Sequence, residues 1–183
     1  MFKVISLIAL AILYRLTPHP WNATPMGALS LYAGAKLPLR WAWFVPVGAM
    51  ALSDLVLDYG TGRPLFEISR LAVYGTFGLL TLIGPLANRT KFGPALLPAL
   101  SLSASGLFFL ASNFGVWAEG LLYPMNFGGL IACYAAGLPF LDRTVLADLI
   151  GTAVLFGFGS ALHYAHGAIA ARLQPNRIES VNG

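Results

Sequence analysis

Charge is what this sequence has least of. Only 10% of its 183 residues are Asp, Glu, Lys or Arg, against about a quarter in a soluble domain. With 57% hydrophobic residues and a mean hydropathy of +0.73, that scarcity excludes an ordinary water-soluble fold. Cysteine is nearly absent too. The single one, Cys133, lies in the apolar run GLIACYAAG, which excludes a disulfide framework or a cysteine metal site and suits a small buried hydrophobe. Phosphate loops, nucleotide motifs and H-E-x-x-H patterns are missing, so the expectation is no cofactor, no metal, no catalytic set and no energising motif. The net charge of +4 does not point to nucleic acid. The cations border apolar segments, where they set membrane orientation.

What the sequence does have is a series of long apolar segments. The first, MFKVISLIALAILYRL, imitates a signal peptide but lacks a small-residue cleavage site and runs into Arg15 and the turn Pro18-His19-Pro20. It reads as an uncleaved helix over 2–16. After the polar turn TPHPWNATP comes a second segment at 25–37, rich in Gly, Ala and Ser, then a third at 41–58. The breaker YGTGRP leads to a fourth at 66–87, and Gly93-Pro94 opens a fifth that ends at Asn113. The last covers 143–171. Before it, the stretch 126–141 is apolar but short of the roughly 20 residues a crossing needs. It reads as a half-helix that enters and leaves by one face, in preference to a seventh span.

The expected fold is therefore all-α: a polytopic membrane bundle over 1–172 with six transmembrane helices, a re-entrant segment before the last span, and a polar tail over 173–183. With the N-terminus inside and six crossings, the 11 basic residues divide seven inside to four outside, agreeing with the positive-inside rule. A seventh crossing would give six against five. The expected location is a bacterial inner membrane with both termini cytoplasmic.

Placing each polar residue by depth, at about 1.5 Å of rise per residue, gathers them on the outer side. Asp54 lies about 20 Å up the third segment and Asp58 at its rim. Glu67 and Arg70 start the fourth, with Tyr74 one turn below. Asn113 and Trp117 end the fifth. Asp142, Arg143 and Asp148 open the last, and His19 and Asn22 lie in the first outer turn. Ionisable groups inside a span cost several kcal/mol unless paired, and they mark pathways and binding sites. Blander roles stand beside this for each: Arg70 paired with Glu67, Asp148 favoured by a helix dipole, Trp117 in an interfacial belt, Asn113 as a helix cap.

The expected substrate-binding set is Asp54, Arg70, Tyr74, Asn113, Trp117, His19, Asn22 and Asp142. Arg70 would anchor an anionic or polar group, Asn113 and Asp54 would hydrogen-bond, and Tyr74 and Trp117 would pack on an apolar or ring portion. In the last segment Ala153, Gly157, Ala161 and Ala165 form a small-residue stripe of the kind that lets helices approach closely. Two rival functions remain: a scaffold subunit using that stripe, and an intramembrane hydrolase using Ser105 of SASG with His163 or His166.

The order of motifs resembles a known family. TPMGALSLYAGAKLPLRWAW, a breaker loop, and an apolar half-helix ending GLPFLDRTVLADL resemble the S (substrate-binding) components of energy-coupling factor vitamin transporters, the biotin type above all. RLTPHPWNATPMGAL, LSDLVLD, SNFGVW and GLPF look still more like a family of uncharacterised bacterial membrane proteins described as transport proteins. The resemblance implies six helices, cytoplasmic termini and an outward-opening pocket covered by the connections between helices 1 and 2, 3 and 4, and 5 and 6. It also implies docking on an energising module. Ala9 and Ala11 do not reproduce the Ala-x-x-x-Ala spacing that family uses on its first helix, which leaves the stripe of the last helix as the candidate surface.

Overall fold

The structure, a computed structural model, describes residues 1–19, 23–62, 64, 66–88 and 96–172, with 158–172 described by backbone alone. Asn22 and the tail 173–183 lie outside the described residues. Among the described residues seven α-helices appear in order: α1 (Phe2–Leu16), α2 (Met26–Lys36), α3 (Leu39–Ala42), α4 (Phe44–Leu57), α5 (Ile68–Ile83), α6 (Leu96–Ala118) and α7 (Phe127–Arg172). A 3-10 turn, Gly84–Asn88, extends α5. There is no strand among the described residues.

Among the described residues, three elements are long and apolar enough to cross a membrane: Ile68–Asn88, Leu96–Ala118 and Phe127–Gly157. The helices at 2–16, 26–36 and 44–57 fall short of the usual 17–25 residues. For α2 the reason is its position. It touches α4, α5, α6 and α7, and Met26 through Leu31 are all buried. Backbone that stops short is tolerated at membrane depth where protein surrounds it. Small residues permit this central place. Gly34 lies directly against the Thr81 carbonyl and Gly84, where a Cβ would overlap.

A central helix with a buried start needs acceptors for its first N–H groups. Pro25 at the N-cap gives no side-chain bond. The acceptor comes instead from α7: the Ala28 N–H donates to Asp148 Oδ1 at 3.0 Å. Ser105 Oγ of α6 donates to the other oxygen, Oδ2, at 2.8 Å. Asp148 is 1% exposed, and Gly27 makes the approach feasible, since a Cβ there would stand 2.5 Å from Oδ2. One carboxylate thereby joins α2, α6 and α7.

Two expectations are corrected. The half-helix at 126–141 and the last span form one helix, with Pro139 inside it. Proline removes one helical hydrogen bond and usually ends or kinks a helix, but between packed membrane helices the loss is absorbed by neighbouring groups, and α6 packs along this stretch. Asn113 is not a cap either, because α6 continues to Ala118. Gly115, two residues beyond Asn113, is an interface residue. A Cβ there would come 2.7 Å from Ser69 Cα of α5.

Replacing Asp148 by Leu strands buried donors at about 1–3 kcal/mol each. Thermal unfolding of the detergent-solubilised chain is expected to show a clear drop in midpoint for Asp148→Leu and a smaller one for Asp148→Asn, which keeps an acceptor. An unchanged midpoint in the Leu variant would remove the cap from the account.

Candidate functional site

At the end of the bundle where α1 and α4 finish and α5 begins, a carboxylate of α4 collects partners from two flanking helices. Asp54 of α4 pairs through Oδ1 with Arg15 of α1. Its Oδ2 accepts from Tyr74 Oη of α5 at 2.7 Å and lies 3.8 Å from Arg70 Nη1. Arg70 Nη2 donates to Asp58 Oδ2 at 2.5 Å, one turn further along α4. Arg15 Nε also donates to Ser53 Oγ at 2.6 Å. Charges therefore alternate, Arg15, Asp54, Arg70, Asp58, and each of these side chains is no more than 16% exposed. Each charge taken from water is compensated by its neighbour, as a partly buried network requires.

This network forms one wall of a pocket of about 800 Å³. That lies within the roughly 300–1,000 Å³ of small-molecule sites. The opposite wall is aromatic and neutral: Phe108, Phe109, Ser112 and Asn113 from α6, with Gly137, Phe140 and Thr144 from α7. Asn113 Nδ2 donates back to the Phe109 carbonyl at 2.8 Å. Its Oδ1 packs against Gly137, where a Cβ would collide with it, and no described group donates to that oxygen. Glycine at 137 thus makes room for the amide at the hairpin of α6 and α7.

Of the eight expected residues, His19, Asp54, Arg70, Tyr74 and Asn113 line this one pocket. His19 is held at the rim, its Nδ1 bonded to the Thr17 carbonyl at 2.7 Å and its Nε2 to Thr24 Oγ1 at 3.0 Å. Trp117 and Asp142 do not line it. Trp117 Nε1 donates to the Pro124 carbonyl at 3.0 Å, bracing the loop between α6 and α7. Asp142 is exposed, because Gly137, Phe140, Leu141 and Thr144 give α7 its pocket face and 142 is turned off it. Arg15, read as an orienting cation, is the main residue the sequence reasoning missed. The signal available was its height, level with Asp54 once α1 and α4 lie side by side.

Ser105 and Cys133 are structural. Ser105 is fully buried against Asp148. Cys133 is 2% exposed, and its thiol donates to the Asn113 carbonyl at 3.2 Å. No cluster of three or more His, Cys, Asp or Glu suited to a metal occurs among the described residues.

An all-helical bundle with three membrane-length elements and a polar pocket at one end is the class these features define. The chain belongs to a family described as a family of unknown function (DUF6580), whose model matches residues 1–170. Neither curated proteins nor solved structures yield a match.

The network makes Asp54 the most exacting position. Asp54→Asn leaves Arg15 and Arg70 undercompensated and is expected to cost about 1–3 kcal/mol, read as a lower unfolding midpoint in detergent. Asp142→Asn should leave the midpoint unchanged. Equal effects would mean that the network is not holding α1, α4 and α5 together.

Proposed function

We propose that the chain is a small-molecule membrane transport protein, or the substrate-binding component of one, that captures a vitamin-like ligand from the extracytoplasmic side. One observation carries the reading. Polar residues from α4, α5, α6 and the turn after α1, far apart in sequence, surround a single pocket with a charged wall facing an aromatic one. Ionisable groups held inside an apolar bundle and facing a cavity mark pathways and binding sites.

The charges of that wall satisfy one another. A ligand therefore meets no bare cation. It competes for the donors of Arg15 and Arg70, takes Asn113 Oδ1 as an acceptor, and lays an apolar ring against Phe108, Phe109 or Phe140. A compact molecule with a polar edge fits this better than a strongly charged anion. The motif resemblance to the S components of energy-coupling factor transporters supports the same reading. The chain would then sit in a bacterial inner membrane with both termini cytoplasmic, and movement of the ligand would follow reorientation of the bundle.

The scaffold reading has one observation in its favour. Ala153 and Gly157 are exposed, and an added Cβ on Gly157 would meet nothing described within 4 Å, so this part of the small-residue stripe faces away from the described bundle. An energising module or another membrane subunit would dock there, extending to Ala161 and Ala165. The hydrolase reading is weaker. Ser105 is committed to Asp148, and His163 lies fifteen residues beyond Asp148 on α7, about 22 Å along the axis.

Mass spectrometry of small molecules that co-purify with the chain from its native host is the test. Asn113→Ala and Tyr74→Phe are expected to lose most of the ligand, roughly tenfold for each 1.4 kcal/mol of contact removed, while Trp117→Ala and Asp142→Ala keep it. Retention in all four variants, or a co-purified protein in place of any small molecule, would overturn the assignment.

A further inference from the structure

Most hydroxyls in these helices are satisfied by their own backbone. Ser30, Ser53, Thr76, Thr81 and Thr144 each donate to the carbonyl four residues back, the usual habit of Ser and Thr inside a helix. Ser101 of α6 and Thr152 of α7 do otherwise. They are 0% and 4% exposed, and their side-chain oxygens have no hydrogen-bond partner. Each has turned away from its own helix without finding a neighbour, which is costly in an apolar interior.

The fold brings these two hydroxyls to one level. Ser105 of α6 donates to Asp148 Oδ2 of α7 at 2.8 Å. Ser101 lies one turn from Ser105 and Thr152 one turn from Asp148, on the same helix faces. α6 and α7 run antiparallel, as the contact of Asn113 with Gly137 also requires, so both steps lead the same way along the bundle, by about 6 Å. Asp148 in turn has no cation beside it among the described residues. Its donors, the Ala28 N–H and the Ser105 hydroxyl, are neutral. An uncompensated buried carboxylate thus stands one turn from two unpartnered buried hydroxyls.

We infer that Asp148, Ser105, Ser101 and Thr152 form a site for a single small monovalent cation, sodium. The available donors are carboxylate and hydroxyl oxygens, which suit a hard cation. One positive charge against one carboxylate leaves the interior neutral, whereas a divalent ion would leave a net charge there at high cost. Ser105 also lies near the middle of Leu96–Ala118, the depth at which membrane transporters hold coupling ions. Thr144, one turn from Asp148, lines the polar pocket, but none of the four residues does. The cation site therefore stands whether or not that pocket takes the ligand proposed for it.

Thermal unfolding of the purified full chain in detergent, in sodium, potassium or choline chloride at equal ionic strength, tests the site. Sodium is expected to raise the midpoint saturably, as a ligand of the folded state does, while potassium and choline leave it unchanged. Ser101→Ala and Thr152→Val each remove one oxygen and should shift half-saturation to about tenfold higher sodium. The double variant should lose the sodium effect and keep its midpoint in choline, since both substitutions delete an unpaired group. A native midpoint that does not distinguish sodium from the other two salts would overturn the inference. So would a sodium effect that survives the double variant, or a double variant less stable in choline, which would mean that the hydroxyls hold a water molecule instead.

Discussion

A polar group buried in an apolar bundle has to find its partner inside the bundle, and that constraint organises this protein. Two carboxylates show it. Asp148 is the deeper one; it caps a helix that begins in the protein interior and ties that helix to two others. Asp54 is nearer one end and draws Arg15, Tyr74 and Arg70 toward it from two flanking helices. Hydrophobic matching alone orders membrane helices weakly, because lipid is as apolar as their side chains. Directional contacts of this kind fix which helix lies beside which, and at what height.

The pocket follows from the same constraint. Three helices drawn to Asp54 form a charged wall, while α6 and α7 pack as an antiparallel hairpin through Gly137 and Asn113. The space between the two assemblies is the cavity. α7 serves two cavities at once: Phe140, Leu141 and Thr144 face the polar pocket, and Arg143, Ala147 and Ile150 face a cleft beside α1. A single helix thereby separates a charge-lined pocket from an apolar cleft.

Much of this was legible in the sequence as height along the membrane normal. Segment limits at 2–16 and 25–37 agree closely with α1 and α2, and the depth argument brought His19, Asp54, Arg70, Tyr74 and Asn113 to one level. Direction around a helix was not legible in the same way. Trp117 bonds the loop after α6 and Asp142 is exposed, outcomes that only packing decides. The stretch 126–141 was read as a half-helix because it is too short to cross alone, yet here α7 continues through it and past Pro139. Asp148 could not be assigned its role from spacing, because its partner is a backbone N–H 120 residues away. Arg15 was hidden by a bland alternative, since a cation at a helix end is ordinary in any membrane protein.

The account rests most heavily on the polar pocket opening to the outside. Labelling of single cysteines in intact cells with a membrane-impermeant maleimide, in a Cys133→Ala background, tests that directly. Ser112→Cys, on the pocket wall, is predicted to label from outside, and Asn88→Cys, at the far end of α5, only after the cells are opened. Labelling of Asn88→Cys in intact cells, with Ser112→Cys protected until lysis, would contradict it.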